Sequence, residues 1–212
     1  KMKLGIVDLE TGNLGSLVSA IKKLNINFKI CKKNYDFEEI DKIILPGVGA
    51  FGDFMLKMRN KKIDQSILKK ISQNCPILGV CVGFQVLFKN SNEHKLSNGL
   101  GLLEGNFINF KDEFEKIKIP HVGWNECKIQ KKSKLFEGIK NNSDFYFTHS
   151  YFLKNYNEDN ILSKTNYNIE FISSISHKNI YGVQFHPEKS QINGKRFLKF
   201  YLQEIIKWPK KD

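Results

Sequence analysis

Four short apolar stretches in the first half, parted by turns and segments of helical spacing, constrain this chain more than any other feature. Leu4-Gly5-Ile6-Val7 reads as a buried strand, and beyond the turn residues Thr11-Gly12-Asn13 the set Leu14, Leu17, Val18, Ile21 and Leu24 has the spacing of one helix face. Ile26 to Cys31 is a second strand, Lys42-Ile43-Ile44-Leu45 a third, stopped by Pro46-Gly47, and Ile77-Leu78-Gly79-Val80 a fourth, followed by a helix-like segment with Phe84, Val86, Leu87 and Phe88. This succession of strand and helix signals suggests a mainly parallel sheet covered by helices on both faces. After Gly99 the texture changes. Phe107-Ile108-Asn109-Phe110, Phe145-Tyr146-Phe147, Phe171 to Ile175 and Tyr181 to Phe185 read as antiparallel strands extending the same sheet, and Phe197, Leu198, Tyr201, Leu202 and Ile205 form the stripe of a closing helix. With 212 residues and no repeat or linker, the expectation is a single α/β domain over residues 1–212, its mixed, mainly parallel central sheet covered by helices on both faces.

Charge narrows the function classes. The chain carries 34 lysines and arginines against 22 aspartates and glutamates, net +12, which brings nucleic acid into consideration. Only Arg59 and Arg196 are arginines, however, and the lysines are scattered along the whole length, so a solvated lysine coat is expected and no nucleic-acid partner. The longest apolar run, Cys75 to Phe88, is broken by Pro76, Gly79, Gly83 and Gln85, well short of the ~20 residues that cross a bilayer, so no membrane association is expected. The N-terminal residues lack a signal-peptide pattern, and Cys31, Cys75, Cys81 and Cys127 contain no Cys-x-x-Cys pair; the expectation is reduced thiols and a cytoplasmic location.

Gly79-Val80-Cys81-Val82-Gly83 places a cysteine where a buried strand turns into a helix, with glycines on both sides that permit a sharp elbow. A helix start behind the sulfur favours a thiolate. Taken alone, the segment fits a nucleophile and a small buried hydrophobe equally well. Gln184-Phe185-His186-Pro187-Glu188 supplies a base and its orienting carboxylate: residues i and i+2 of an extended segment share a face, and Pro187 keeps His186 extended. Leu45-Pro46-Gly47-Val48-Gly49-Ala50-Phe51-Gly52 lacks the lysine and Ser/Thr of a phosphate loop. It fits an oxyanion hole, in which an N–H of the Gly47, Val48, Gly49 segment joins that of Val82, or an ordinary strand-to-helix turn. His94, His121, His149 and His177 are dispersed along the chain and no Cys/His/Asp/Glu cluster has zinc or iron spacing, so no metal or cofactor is expected.

Gly79 to Gln85 together with His186-Pro187-Glu188 resembles the class I glutamine amidotransferases, whose triad is Cys-His-Glu. Within the class, Pro46 to Asp53, Gly99-Leu100-Gly101-Leu102-Leu103, Pro120-His121-Val122-Gly123-Trp124-Asn125, His149-Ser150-Tyr151 and Gly182 to Ser190 are similar to the separate glutaminase subunits that serve a cyclase. The resemblance runs from about Gly5 to the final helix. It implies that Cys81 attacks the glutamine carboxamide, that His186 handles the protons and that Glu188 orients His186. It further implies that Gln85 and Glu93 hold the amino-acid end of glutamine, that Ser150 and Tyr151 supply backbone contacts, and that Trp124, Asn125 and Lys189 lie near the partner. The implied partner is a (β/α)₈-barrel cyclase subunit, the two chains together converting a phosphoribosyl formimino carboxamide ribotide into imidazole glycerol phosphate in histidine biosynthesis. A paralogous glutaminase serving the amidination of a surface sugar is the alternative. The chain departs from the pattern at Asp8-Leu9-Glu10-Thr11-Gly12-Asn13, where Asp-Tyr-Gly-x-Gly-Asn is usual, and at Val82 and Phe84, where Leu and Met are common.

Overall fold

The computed structural model describes residues 2–12 and 14–205, so Asn13 of the expected turn lies outside the described residues. A nine-stranded sheet forms the centre. Strands β1 (Leu4–Val7), β2 (Phe28–Cys31), β3 (Lys42–Gly47) and β4 (Ile77–Cys81) are joined by α1 (Leu14–Lys22) between β1 and β2, and by α2 (Phe51–Asn60) and α3 (Ile63–Ser72) between β3 and β4. Beyond β4 come the single turn α4 (Val82–Gln85) and strands β5 (Phe88–Ser91), β6 (Ser97–Asn98) and β7 (Leu103–Asn109). The second half holds β8 (His121–Ile129), β9 (Ser143–His149), β10 (Tyr151–Lys154), β11 (Ile161–Asn166), β12 (Glu170–His177), β13 (Ile180–Val183) and the closing helix α5 (Gln191–Gln203).

The large sheet has the order β2-β1-β3-β4-β13-β12-β11-β8-β9. Its first five strands are parallel and the rest antiparallel. The β1-to-β2 and β3-to-β4 crossovers run in opposite directions across the sheet, so the right-handed rule places α1 on one face and α2 with α3 on the other. Every residue of β1 and β4 is buried, as continuous apolar runs between two helical layers require. The mixed α/β sheet with helices on both faces is thus as expected from the sequence, but it is not mainly parallel: four of its eight strand pairings are antiparallel, because the second half of the chain adds its strands through short connections instead of helical crossovers.

Several local readings are corrected. The segment around Phe84 to Phe88 is one helical turn followed by strand β5, which pairs with β6 and β7; a short apolar run carries no period that separates the two states. Strand β3 continues through Pro46-Gly47: β1 pairs with it only as far as Ile44, so the missing proline N–H costs nothing on that side. Phe107 to Asn109 belong to a second, four-stranded sheet ordered β10-β7-β5-β6, not to the main one. Strand β13 is antiparallel to β12 but parallel to β4, inserted at the centre of the sheet. Among the described residues, no helix is long and apolar enough to cross a membrane.

The antiparallel half curls. Gln184 N–H still donates to Ser173 O of β12 (2.9 Å), while two residues on His186 N–H donates to Tyr146 O of β9 (2.8 Å). The ends of β3, β4, β9 and the β13 extension are thereby brought to one place.

Candidate active site

That place is a cleft of about 240 Å³ lined by Val48, Gly49, Cys81, Val82, Gln85, Glu93, Pro120, Thr148, His149, Ser150, Tyr151 and His186. Its size suits a ligand smaller than a drug-like molecule, at the carboxyl ends of parallel strands where α/β sheets place their sites. Cys81 holds φ 55°, ψ −114°, a backbone state that L-residues avoid and that a strand-to-helix elbow demands. The flanking glycines are explained by contact. A Cβ on Gly83 would lie 1.8 Å from Leu45 O, and one on Gly79 would lie 2.5 Å from Gly83 O, so the turn of α4 rests directly on the backbone of β3 and β4. Gly49 has φ +95° in the loop facing the elbow, and Val82, first in α4, has an N–H with no carbonyl one turn earlier to satisfy it.

The cysteine, histidine and glutamate of the sequence reading meet here. His186 Nδ1 pairs with Glu188 Oε1 at 2.8 Å, and both side chains are almost wholly buried. The opposite ring nitrogen, Nε2, is buried and without a protein hydrogen-bond partner, on the ring that lines the cleft with Cys81. Burial alone disfavours the imidazolium, but the adjacent Cys81 sulfur and the Glu188 carboxylate outweigh it and raise His186 to about 10. Cys81 Sγ touches Thr148 O and Gln184 Nε2, each at 3.8 Å. Burial pushes the Cys31 and Cys127 thiols up to about 12, leaving them as packing groups.

Other expected residues take distinct places. Gln85, Glu93, Ser150 and Tyr151 all line the cleft. Glu93 Oε2 accepts the N–H of Phe51 at the start of α2 (2.6 Å), and Gln85 Nε2 donates to Gln184 Oε1 (3.1 Å). Trp124 is 47% exposed and packs edge-on against Tyr146, over whose ring the Lys189 ammonium sits at 5.5 Å. Asn125, one residue along β8, faces the other way: its amide nitrogen donates to Asn166 O (2.8 Å) and approaches His121 Nε2 (3.3 Å). Three cleft residues went unassigned in the sequence, Pro120, Thr148 and His149, as did Gln184, whose amide contacts Cys81 Sγ and Gln85. Gln184 adjoins His186 closely enough to have been found; Thr148 and His149 lie in β9 and Pro120 just ahead of β8, two strands whose pairing no local pattern reveals. Nor are the histidines all dispersed, since His121 and His149 are 3.0 Å apart. Among the described residues, no group of three or more His, Cys, Asp or Glu side chains is arranged to hold a metal ion.

A strained cysteine at a helix start and a carboxylate-oriented imidazole in one cleft are the equipment of acyl transfer through a thioester. The family model for class I glutamine amidotransferases matches residues 5–203, and the chain belongs to that family. Within it, the imidazole glycerol phosphate synthase subunit HisH of Methanocaldococcus jannaschii is 44% identical over 200 residues, 94% of this chain and 98% of that one. The subunit HisH of Bacillus subtilis is 36% identical over 211 residues, 96% and 99% of the two chains. At that identity and coverage, this chain is placed among the glutaminase subunits of imidazole glycerol phosphate synthase. The fold is shared with solved structures of lower identity, among them PurLQS from Thermotoga maritima, with a TM-score of 0.75 at 17% identity over 96% of this chain and 99% of that one.

Proposed function

We propose that Cys81, His186 and Glu188 hydrolyse the side-chain amide of glutamine in this cleft and that the ammonia passes to a separate cyclase subunit. The observation that carries the reading is the oriented imidazole: Nδ1 bound to Glu188 at 2.8 Å and a free Nε2 in the cleft that the strained cysteine lines. The Cys81 sulfur attacks the carboxamide carbon. The resulting oxyanion accepts hydrogen bonds from Val82 N–H and from the Gly47 to Gly49 segment. As the C–N bond breaks, the His186 imidazolium gives its proton to the departing nitrogen, releasing ammonia and leaving a γ-glutamyl thioester. His186 then takes a proton from water, whose oxygen attacks the thioester and frees glutamate and the thiol. Gln85, Glu93, Ser150 and Tyr151 hold the amino-acid end.

The relatives' designation as synthase subunits supports a heterodimer. The partner is a (β/α)₈-barrel cyclase in the cytoplasm, meeting the face that carries Trp124, Tyr146 and Lys189, and the product is imidazole glycerol phosphate for histidine biosynthesis. A dry passage between the chains keeps the ammonia unprotonated. The test is glutamate release with the cyclase and its ribotide ligand present, wild type against Cys81→Ala, together with identification of the chain co-purified from the source cell. Release that persists in Cys81→Ala overturns the triad assignment, and a co-purified sugar-amidating enzyme overturns the pathway.

A further inference from the structure

Two buried histidines stand beside the triad with no part in the chemistry above. His121, first in β8, is 3% exposed, and His149, last in β9, is 6% exposed. Their hydrogen bonds admit one direction. His149 Nδ1 lies 2.8 Å from Tyr151 O, and a carbonyl only accepts, so the proton is on Nδ1. Burial drives both rings far below the ordinary histidine value, His121 to about 4 and His149 to about 3, so both are neutral. The lone pair on His149 Nε2 therefore receives the Nδ1 proton of His121 at 3.0 Å. His121 Nε2 in turn accepts from Asn125 Nδ2 at 3.3 Å, whose other hydrogen goes to Asn166 O at 2.8 Å. Asn125 Oδ1 accepts from Glu126 N–H at 2.8 Å, which fixes the orientation of the amide.

The rings are also held in plane. His121 is stacked between Tyr167 (centroids 4.0 Å) and Phe147 (5.0 Å), and His149 packs against Phe110 and Phe171. The relay ends where the chain leaves the large sheet for the small one. There Thr148, Ser150 and Tyr151 form one wall of the cleft, and Thr148 O contacts the Cys81 sulfur.

We propose that His149, kept in a single tautomer by His121, is a positioning residue for glutamine binding: it fixes the Tyr151 carbonyl and thereby the Thr148–Tyr151 wall against which the substrate rests. The inference rests on the glutaminase reading but adds two residues to it. His149 lines the cleft, but its hydrogen bonds go to His121 and Tyr151 and not to the triad, so the loss appears in KM with kcat largely kept, as it does when uniform binding is removed.

The test uses the chain purified with its cyclase partner. In ¹⁵N-edited imidazole spectra at neutral pH, both rings carry the proton on Nδ1; an Nε2-protonated form of either overturns the relay. In steady-state glutaminase assays, His149→Leu raises KM about tenfold or more, the factor that one unsatisfied buried hydrogen-bonding group carries, with kcat within about threefold. His149→Asn, which offers an amide donor in place of Nδ1, brings KM back to within about threefold of wild type. His121→Phe keeps the stacking but frees His149 to change tautomer, and falls between the two. A KM unmoved in His149→Leu, or His149→Asn as damaged as His149→Leu, refutes the positioning role. Should His149→Leu fail to fold, His149→Asn, His121→Phe and the spectra decide. If wild type itself shows no Cys81-dependent glutamate release, the glutaminase reading fails and the positioning role with it, while the spectra still judge the hydrogen-bond relay on its own.

Discussion

Replacing Cys81 by alanine or by glycine removes the sulfur in both cases, so the difference in stability between the two variants isolates the Cβ at the elbow. At an ordinary position alanine is favoured by about 0.5–1 kcal/mol, because glycine loses more backbone freedom on folding. At φ 55°, ψ −114° the Cβ is what makes the conformation costly, and residues held in such states carry strain of about 1–3 kcal/mol. Setting about 2 kcal/mol of relieved strain against about 0.8 kcal/mol of added chain entropy leaves the glycine variant ahead by about 1 kcal/mol. For a chain of this length that is about 2–4 °C in Tm. Urea unfolding of the two variants, analysed with a common slope, measures it directly. An alanine variant more stable by the usual margin would refute the claim that the fold holds its nucleophile under strain.

Two further outcomes follow from the buried charges. The raised His186 value lies above the unfolded 6.5, so the stabilisation from its charged partners is complete below about pH 6.5 and is lost as pH rises through about 10. Glu188→Gln removes one of those partners. The stability gap between wild type and this variant is accordingly largest near pH 6 and closes toward pH 10; a gap that does not change with pH contradicts the assignment. Lys42, wholly buried in β3, donates through Nζ to Tyr201 O (2.6 Å) and Leu202 O (3.0 Å) in the last turn of α5. Lys42→Met strands these carbonyls at about 1–3 kcal/mol each, partly offset by no longer burying an ammonium, for a net loss of about 1–2 kcal/mol in urea unfolding. An unchanged midpoint would show that α5 draws nothing from the lysine.

How far the sequence could be read depended on whether the determining contacts were local. The cysteine elbow and the His186-Pro187-Glu188 run were legible because each needs only its neighbours: flanking glycines, a strand end, a two-residue offset. Strand β5 was not, since Phe84 to Phe88 is a short apolar run that fits either periodicity. Alternation marked β7 as a strand but carries no information about which sheet receives it. The pairing of His121 with His149, 28 positions apart, depends wholly on the β8–β9 register, His121 opposite His149. Glu10 shows the same dependence on context. It holds φ 58° where the family pattern has glycine, a position that an L-residue occupies only with support, here from its N–H bonded to Asp8 Oδ1 and its carboxylate beside Lys61.

One pairing ties register to chemistry. Strand β13 enters the sheet with Gly182 opposite Gly79 and Val183 opposite Val80, which carries the chain on to place His186 beside the elbow that follows Cys81. Both glycines lack side chains where α4 presses on the sheet, and the space over Gly182 is filled by Phe84. A Cβ on Gly182 would lie 2.2 Å from Phe84 Cδ2, and that ring is fully buried, held edge-on by Phe88 at 5.2 Å and Phe107 at 5.5 Å. Gly182→Ala therefore overpacks the core by about 1–3 kcal/mol and pushes on the turn that carries the nucleophile. Methionine, common at position 84 in the family, bends where a phenyl ring cannot. A double-mutant cycle of Gly182→Ala with Phe84→Met is expected to recover about 1 kcal/mol or more of the loss and part of the lost glutaminase activity with it. Strict additivity of the two changes would mean that the elbow is positioned by something other than this ring seated on a bare patch of sheet.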